Sequence, residues 1–399
     1  MIQQLSNRVL RDLSNALPAE RIATSDDLPV VSPIGDAEWR AALAVANAHG
    51  SKVVVRGADS RAGERPWPQG VQLVLSTAGD DALVQYEPGD GVVSARAGMP
   101  LDTLRASVAA GRHHLVPLLP RGAGTIGGAV AAGRSGADRL RFGPLRHHVL
   151  GIKLLQADGE IVRSGGALVK NVTGYALHRL WTGSHGAFGA VLEVHLRLFP
   201  LAARTEIAVA TLASLQAALD LGRKLAGAPA APLAVEVRGR DERWELSVVH
   251  AATPRVLATA WDEARRIAPE LSTPREAGEW VAEPDAPALL HLTAMPSRLF
   301  EHLSALRRLA GGALGEALVR PGIGEALVAV DGANGGAAAL ERELASSPLD
   351  ARWRRAPADV LTASLGRETR APGFALMRRL RERYDRPGRF APGRFFGGL

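Results

Sequence analysis

Glycines are the residues whose type and spacing point most directly to chemistry in this chain. The 399 residues include 43 glycines, and some of these recur at separate turns between positions 57 and 189. Glycine allows a ligand to approach the backbone closely, and consecutive N–H groups at such turns can bind an anion such as pyrophosphate. An alternative is that they only form tight turns. The glycines concerned are Gly57, Gly127, Gly128, Gly133, Gly136, Gly143, Gly186 and Gly189.

One glycine cluster matches the sequence pattern of the dinucleotide-binding fingerprint. Residues 122–127, Gly-Ala-Gly-Thr-Ile-Gly, match G-x-G-x-x-G. A Rossmann site also needs a buried strand before the glycines and an acidic residue about 20 positions later. Pro117 and Pro120 interrupt the preceding stretch, and Asp138 arrives too early. We therefore reject a Rossmann site, and no Lys-Ser/Thr pair follows to make a P-loop.

Composition excludes several other chemistries. The chain has no cysteine, which removes a thiolate nucleophile, a disulfide framework and iron–sulfur ligation by this chain. The histidines show no metal-ligand spacing, so we expect no metal site. The first residues lack the continuous apolar core of a signal peptide, and we predict an amphipathic N-terminal helix at residues 1–27. No apolar stretch approaches the length of a membrane-spanning helix.

The positive charge is concentrated near the C-terminus. The formal net charge is +7, and residues 367–394 contain nine arginines against Glu368, Glu382 and Asp385. This segment could dock an acidic partner or a membrane surface, or it could be a solvated helix face. We expect no nucleic-acid binding, because no basic block with interleaved aromatic residues is present. We expect a cytoplasmic protein, with the inner face of the membrane as an alternative.

Helical and strand patterns alternate along the chain, which predicts an α+β fold. In the first half, helices are expected at 36–49, with Asp36 as the N-cap, and at 101–110. Strands are expected at 52–55, 71–75, 92–97, 149–156 and 190–198. In the second half, strands at 233–238, 244–250, 288–293, 313–320 and 326–330 are separated by helices at 253–267, 297–309 and 335–344. A final helix is expected at 374–384. This second half predicts an antiparallel sheet.

The ordered motifs over residues 30–200 carry a family resemblance. Arg-Gly-Ala-Asp-Ser at 56–60, Thr-Ile-Gly-Gly at 125–128 and Phe-Gly at 142–143 resemble the FAD-binding domain of the vanillyl-alcohol oxidase (PCMH-type) flavoproteins. The stretches at 169–175 and 183–189, and the tail at 390–394, resemble the FAD-binding E subunit of bacterial glycolate oxidase.

The resemblance implies a non-covalent FAD, because the first loop offers no His or Cys for a covalent bond. It implies an FAD-binding domain at 1–204, a cap or substrate domain at 205–355, and a segment at 356–399 that returns to the FAD domain. The loops at 56–60 and 125–128 would hold the pyrophosphate. The implied cofactor-binding residues are Arg56, Gly57, Ala58, Asp59, Ser60, Thr125, Ile126, Gly127, Gly128, Gly133, Ser135, Gly136, Phe142, Gly143, Lys170, Asn171, Gly186, Gly189 and Val191.

Oxidation of a 2-hydroxy acid needs a cation for the carboxylate and a base for the hydroxyl proton. Arg146, His147 and His148 are our candidates, because they precede a strand expected near the flavin. Lys170, His178 and His185 are alternatives, and each of these residues could instead have a structural role.

The function implied is an FAD-binding subunit of a glycolate oxidase-like 2-hydroxy-acid dehydrogenase. Such a subunit would pass electrons to a partner iron–sulfur subunit beside a sister flavoprotein. Two alternatives are open. One is a non-catalytic FAD-binding electron-relay subunit, which the loss of three family carboxylates favours. The other is a stand-alone FAD-dependent alcohol oxidase.

Overall fold

The computed structural model describes residues 2–25, 28–60, 62–168, 174–241, 243–331 and 335–399. These described residues form an α+β fold with three sheets that follow one another along the chain. No helix among them is long and apolar enough to cross a bilayer.

The first sheet has the order β1-β2-β4-β3. The β1–β2 pair is antiparallel, whereas β4 is parallel to both β2 and β3. Two helices supply buried residues such as Leu13 and Trp39 to the core on this sheet. The elements are β1 (Ile22–Ser25), β2 (Leu28–Val31), β3 (Lys52–Arg56), β4 (Val71–Ser76), α1 (Ile2–Ala16) and α2 (Gly35–Ala48).

Two local predictions for this part of the chain were wrong. The N-terminal helix does not extend through residues 1–27, because α1 ends at Ala16 ahead of Pro18 and the chain then enters β1. Asp36 does not cap α2. The Glu38 carboxylate instead accepts a hydrogen bond from the backbone N–H of Ile34 at 2.7 Å, while Asp36 turns to Arg96.

The second sheet is antiparallel and has the order β5-β6-β10-β8-β9, with β7 paired to β10. Short helices surround it and contribute Leu104, Ile126 and Trp181 to a buried core. The elements are β5 (Leu83–Glu87), β6 (Val92–Arg96), α3 (Leu101–Ala110), β7 (His113–Leu115), α4 (Ile126–Ala132), α5 (Arg139–Phe142), β8 (Val149–Leu155), β9 (Ile161–Gly165), α6 (Leu177–Trp181) and β10 (Ala190–Pro200).

The third sheet is antiparallel, as the second half of the sequence predicted, with the order β14-β11-β13-β12-β16-β17-β15-β18. Helices pack on its inner face around Trp244, Trp261 and Trp353. The elements are β11 (Arg204–Leu212), α7 (Leu215–Ala226), β12 (Ala234–Arg240), β13 (Arg243–Ala252), α8 (Pro254–Ile267), β14 (Arg275–Glu276), β15 (Ala288–Thr293), α9 (Leu299–Ala310), β16 (Leu314–Arg320), β17 (Glu325–Val330), α10 (Gly336–Leu344), β18 (Asp350–Arg355) and α11 (Ala358–Glu368).

The last segment of the chain returns to the first two sheets. The final helix, α12 (Phe374–Tyr384), places Leu380 against the core of the second sheet. Beyond it, the backbone beside Phe390 pairs with β3, and Val53 exchanges hydrogen bonds of 2.8 Å with Arg389 and Ala391. The C-terminal tail therefore closes on the strand whose end forms the loop at 56–60.

A buried polar network joins the first sheet to the second. The Asp80 carboxylate accepts hydrogen bonds from Trp39 Nε1 at 2.8 Å and from Arg96 Nη2 at 2.6 Å. Arg96, on β6, also contacts Asp36 at 3.0 Å on α2. Removing one member of such a buried network leaves the remaining charge without a partner, which is far more costly than losing a surface ion pair.

Asp80→Ala is therefore expected to lower the free energy of unfolding by about 3 kcal/mol, because it removes the carboxylate that accepts two hydrogen bonds from the buried Arg96 and one from Trp39, and Asp36 replaces it only in part. Chemical denaturation monitored by circular dichroism measures this change. The matched control is Asp81→Ala, since Asp81 is the exposed neighbour, and we expect a change of less than about 0.5 kcal/mol. Equal effects for the two variants would contradict the proposed role of the network.

Candidate functional site

The loop that follows β3 lines a small cavity at the meeting point of the first two sheets and the C-terminal tail. We call it the loop cavity, and its volume is about 90 Å³. The walls come from the end of β3, the start of α4, the turn at His185 and the tail. The lining residues are Val54, Val55, Arg56, Gly57, Ala58, Asp59, Ser60, Trp67, Thr125, Gly128, Ala131, Ala132, His185 and Arg394.

The loop offers backbone donors to this cavity. Among the described residues, no acceptor lies within hydrogen-bond distance of the N–H groups of Gly57, Ala58 or Asp59. By contrast, the Ser60 hydroxyl donates to the carbonyl of Ala123 at 3.0 Å, which fixes the end of the loop. Unpaired N–H groups in one turn form a site for an anion.

The start of α4 fixes the opposite wall and has fewer free donors. The N–H groups of Ile126 and Gly127 donate to carbonyls of Met99 and Ala97, both at 2.9 Å. The N–H of Gly128 donates to the Thr125 side chain at 3.1 Å, so Thr125 caps the helix. The free donors of the cavity therefore lie on the loop after β3 and not at this helix N-terminus.

Asp59 does not present an unpaired carboxylate to the cavity. It pairs with an arginine of the same loop, since Arg56 Nε lies 2.8 Å from its Oδ2. Burial raises the pKa of Asp59, whereas Arg56 and Arg394 act to lower it. Asp59 also has a φ of +54°, a conformation in which the short Asp side chain is tolerated.

A larger cavity of about 650 Å³ adjoins the loop cavity, and the two share Ala132 and His185. We call it the β18 cavity, because one of its walls is formed by β18 and by α11, a helix that packs on the third sheet. The other wall comes from the first two sheets. The charged and imidazole residues of the lining are Glu64, Arg65, His185, His291, Asp350, Arg352, Arg354, Arg367, Glu368 and Arg370. A volume of this size is typical of ligand sites.

Ion pairs close the boundary between the two walls. Arg134 contacts Glu64 at 3.0 Å and Glu283 at 2.8 Å, and Arg65 contacts Glu368 at 2.8 Å. Burial acts to raise the pKa of Glu283, but Arg134 and nearby arginines hold it below its usual value.

Deeper in the boundary, Glu325 pairs with Arg139 and lies 3.5 Å from His291 Nε2. Burial again acts to raise its pKa, but these partners lower it to about 2. Both carboxylates are therefore ionised and fully engaged at neutral pH.

Two arginine side chains of the cavities have neither an ion pair nor a hydrogen bond among the described residues. Within the described residues, Arg394 in the loop cavity and Arg354 in the β18 cavity form no ion pair, and the Nε of each is buried without a hydrogen-bond acceptor. Burial lowers the pKa of both guanidinium groups, that of Arg354 to about 10. Both side chains are partly buried, and a partly buried cation without a partner is suited to an anionic ligand.

His185 stands where the two cavities meet. Its backbone has a φ of +51°, and its N–H donates to the carbonyl of Ala131 at 2.8 Å. Burial and the surrounding arginines, Arg65 first among them, hold the pKa of His185 well below 6.5. The imidazole is therefore neutral at pH 7 and has no hydrogen-bond partner among the described side chains.

The structure brings together some of the predicted cofactor residues and not others. Those that line the two cavities are Arg56, Gly57, Ala58, Asp59, Ser60, Thr125, Gly128 and Gly133. Lys170 and Asn171 lie outside the described residues. The remaining ones lie elsewhere in the fold, namely Ile126, Gly127, Ser135, Gly136, Phe142, Gly143, Gly186, Gly189 and Val191.

Close packing explains the residue type at several of the predicted positions that line neither cavity. A Cβ on Gly136 would lie 2.2 Å from the Leu118 carbonyl oxygen, and one on Gly189 would lie 2.3 Å from that of Leu155. Val191 pairs with β8 inside the second sheet. The role of these residues in cofactor binding remains a prediction.

The predicted catalytic residues do not line either cavity. Arg146 and His147 are exposed, and Arg146 donates to the carbonyl of Arg179 at 3.0 Å. His148 is buried, and its Nε2 lies 2.8 Å from the carbonyl oxygen of Phe142. Sequence reasoning did not single out Arg354, Arg134 or Arg394 for the site, because these residues come together only through the tertiary fold.

Comparison with known families matches residues 28–165 to the model described as FAD binding domain. Residues 28–165 form an FAD-binding domain of the PCMH type. This match confirms the predicted PCMH-type FAD-binding domain and the predicted FAD. The matched range contains the whole loop after β3 and the start of α4.

Two curated relatives match parts of the chain. Glycolate oxidase subunit GlcE of Escherichia coli is 38% identical over 30% of this chain and 34% of its own length. D-lactate dehydrogenase of Archaeoglobus fulgidus is 33% identical over 47% of this chain and 42% of its own length. The chain thus spans less than half the length of these relatives.

Among solved structures, alkyldihydroxyacetonephosphate synthase has a TM-score of 0.69 at 10% identity, over 96% of this chain and 84% of that one. At this identity the likeness shows that the fold is shared.

The residues of the loop cavity fit the diphosphate of FAD. Free N–H groups on Gly57, Ala58 and Asp59 and the unpaired Arg394 provide donors and positive charge in one place. Gly57 also lies tight against Thr125, because a Cβ there would be 2.7 Å from Thr125 Oγ1. Only glycine leaves both the loop and the capping hydroxyl in place.

Gly57→Ala is expected to weaken FAD binding by about tenfold or more, because the new methyl group displaces the loop or the Thr125 side chain by a few tenths of an ångström. Fluorescence titration of the FAD-free chain with FAD gives the dissociation constant. Gly89→Ala is the control, since a Cβ there meets nothing within 4 Å and lies in a distant turn. Unchanged FAD affinity in Gly57→Ala would show that the loop does not hold the cofactor.

Proposed function

We propose that this chain is the FAD-binding subunit of a glycolate oxidase-like 2-hydroxy-acid dehydrogenase, an FAD-dependent oxidoreductase acting on CH–OH groups. One observation carries this proposal: the loop cavity opens beside a second cavity whose lining holds more arginines than carboxylates. The arginines of this lining are Arg65, Arg352, Arg354, Arg367 and Arg370, and its carboxylates are those of Glu64, Asp350 and Glu368. Such a lining favours a small acid over a neutral alcohol. The names of the relatives GlcE and D-lactate dehydrogenase agree with that chemistry.

In this proposal, bound FAD supplies the two-electron acceptor for the substrate. The chain's own residues bind and orient the acid. The arginine-rich wall attracts its carboxylate, and the neutral imidazole of His185, on the boundary of both cavities, accepts the hydroxyl proton at a ring nitrogen.

The third sheet, residues 205–355, then acts as the cap that covers the substrate. Its β18 wall faces the FAD-binding domain across ion pairs such as Arg134–Glu283. Covering the site in this way excludes water from the reacting groups. FAD is held without a covalent bond, because the loop at 56–60 has no His or Cys side chain.

Electrons must then leave the chain, and we propose that they pass to a partner iron–sulfur protein beside a sister flavoprotein. The chain itself has no cysteine to ligate a cluster. The exposed face of α12 carries Arg378, Arg379 and Arg383, and none of them forms an ion pair within the described structure. Arg381 differs, because it is buried and contacts Asp385 at 2.7 Å.

The same arginine face favours a second candidate function. A subunit that holds the complex together or relays electrons needs FAD and a docking surface, but it does not need a substrate site. In that case the acid is oxidised on the sister flavoprotein.

The absorption spectrum of the purified chain tests the proposed function. We expect flavin bands in the visible region, and we expect them to bleach anaerobically on addition of glycolate or D-lactate. Protein treated with acid should release the flavin if it is not covalently bound. Bands that persist with both acids, while FAD stays bound, would favour the electron-relay function over the dehydrogenase.

Reversal of the α12 charges tests the proposed docking surface. The triple variant Arg378→Glu, Arg379→Glu, Arg383→Glu is expected to reduce co-purification of co-expressed iron–sulfur and flavoprotein subunits, and this loss should resemble the effect of raised salt on the parent. The control reverses three exposed arginines on α8, namely Arg255, Arg265 and Arg266. An equal loss in the control, or none in the α12 variant, would argue against the surface.

A further inference from the structure

The strand β18 presents one face to the core of the third sheet and the other to the β18 cavity. Ala351 and Trp353 are buried in the core, and Arg352 and Arg354 alternate with them on the opposite face. Successive side chains of a strand point to opposite sides, so both arginines face the cavity. Arg352 is 55% exposed at the rim and contacts Asp350, whereas Arg354 lies deeper.

Arg354 is distinguished from the other cavity arginines by its lack of partners. Arg65 is bound by Glu368 through two contacts of 2.8 Å, and Arg367 is held by Glu341 in the same way. Within the described chain, Arg354 has no ion pair or hydrogen bond, and its Nε is buried without an acceptor.

The charged groups around Arg354 do not take the place of an ion-pair partner for its guanidinium. Burial and the neighbouring Arg134 lower its pKa, and Glu64, Glu283 and Glu325 only partly oppose this. All three carboxylates already have partners, since Arg134 contacts Glu64 and Glu283, and Arg139 and Arg320 contact Glu325. A guanidinium in this position is a preformed donor for an anion that enters the cavity.

We propose that Arg354 binds the carboxylate of a small 2-hydroxy monocarboxylic acid in the β18 cavity. This inference rests on the proposed function and narrows its substrate class. A second carboxylate on the ligand would meet the carboxylates of Glu64 and Asp350 in the lining, and the deep arginines other than Arg354 are already paired. A monocarboxylic acid therefore supplies the one anion that Arg354 lacks, whereas the second carboxylate of a dicarboxylic acid would have no cationic partner.

A ligand that cannot be oxidised separates binding from turnover. 2-Hydroxyisobutyrate keeps the hydroxyl and carboxylate but has no hydrogen on its α-carbon. Titration calorimetry of the FAD-loaded chain, together with the shift of the flavin spectrum, measures its dissociation constant. Citramalate, which also lacks that hydrogen but carries a second carboxylate, is expected to bind about tenfold or more weakly.

Arg354→Met is expected to weaken binding of 2-hydroxyisobutyrate by about tenfold to a hundredfold, because it removes a charge-assisted hydrogen bond. Arg354→Lys should retain part of the affinity. Arg308→Met, an exposed arginine on α9 that lines neither cavity, is the control and should change affinity less than about threefold. Since Arg354→Met also removes an unpaired buried cation, the melting temperature of the ligand-free variant should not fall.

Three results would overturn the inference. These are parent-like binding of 2-hydroxyisobutyrate by Arg354→Met, tighter binding of citramalate than of 2-hydroxyisobutyrate by the parent, and a loss of FAD affinity in Arg354→Met as large as its loss of acid affinity. The last would mean that Arg354 faces the cofactor. Binding that depends on Arg354 without bleaching by glycolate or D-lactate would leave the inference intact and would count against the dehydrogenase function.

Discussion

A buried guanidinium needs an anion, and this requirement governs how the parts of the molecule meet. Arg96 and Asp80 join the first sheet to the second, and Arg134 joins the FAD-binding domain to the third sheet through Glu283. In each case the arginine crosses a boundary between elements that are distant in sequence. The cost of stranding either charge therefore makes these contacts determinants of how the sheets are placed.

The same requirement gives the cavities their chemical character. Where the fold supplies a carboxylate, as for Arg134, the arginine is structural. Where it supplies none, the arginine lines a cavity, as Arg354 does in the β18 cavity and Arg394 does in the loop cavity. The N–H groups of the loop after β3 are uncharged donors that likewise have no acceptor in the described structure. A chain that keeps such groups unpaired loses stability in the absence of ligand and gains affinity when an anion binds.

The sequence predicted elements well wherever a regular apolar pattern was present. The stripe at 374–384 coincides with α12, and the antiparallel sheet of the second half was expected. β18 was not predicted because four of the six residues of Asp-Ala-Arg-Trp-Arg-Arg are charged, although the first five alternate between charged and apolar as a half-buried strand does. The helix α4 was hidden by its glycines, although Thr125 at its start is a typical cap. In both cases tertiary packing outweighed local propensity.

The site was predictable only in part, and for a related reason. The loop at 56–60 could be found because its residues are contiguous, whereas Arg354 and His185 meet across a boundary between sheets. Arg146 and His148 had the right chemistry for catalysis, but both lie away from the two cavities. Arg146 and the Nε2 of His148 each have a backbone carbonyl as a partner, and only the Nδ1 of His148 is buried without one. An arginine or histidine already satisfied by the fold must give up that contact before it can serve a substrate. The groups most ready to act on an anionic ligand are instead those that the fold leaves unsatisfied beside the two cavities.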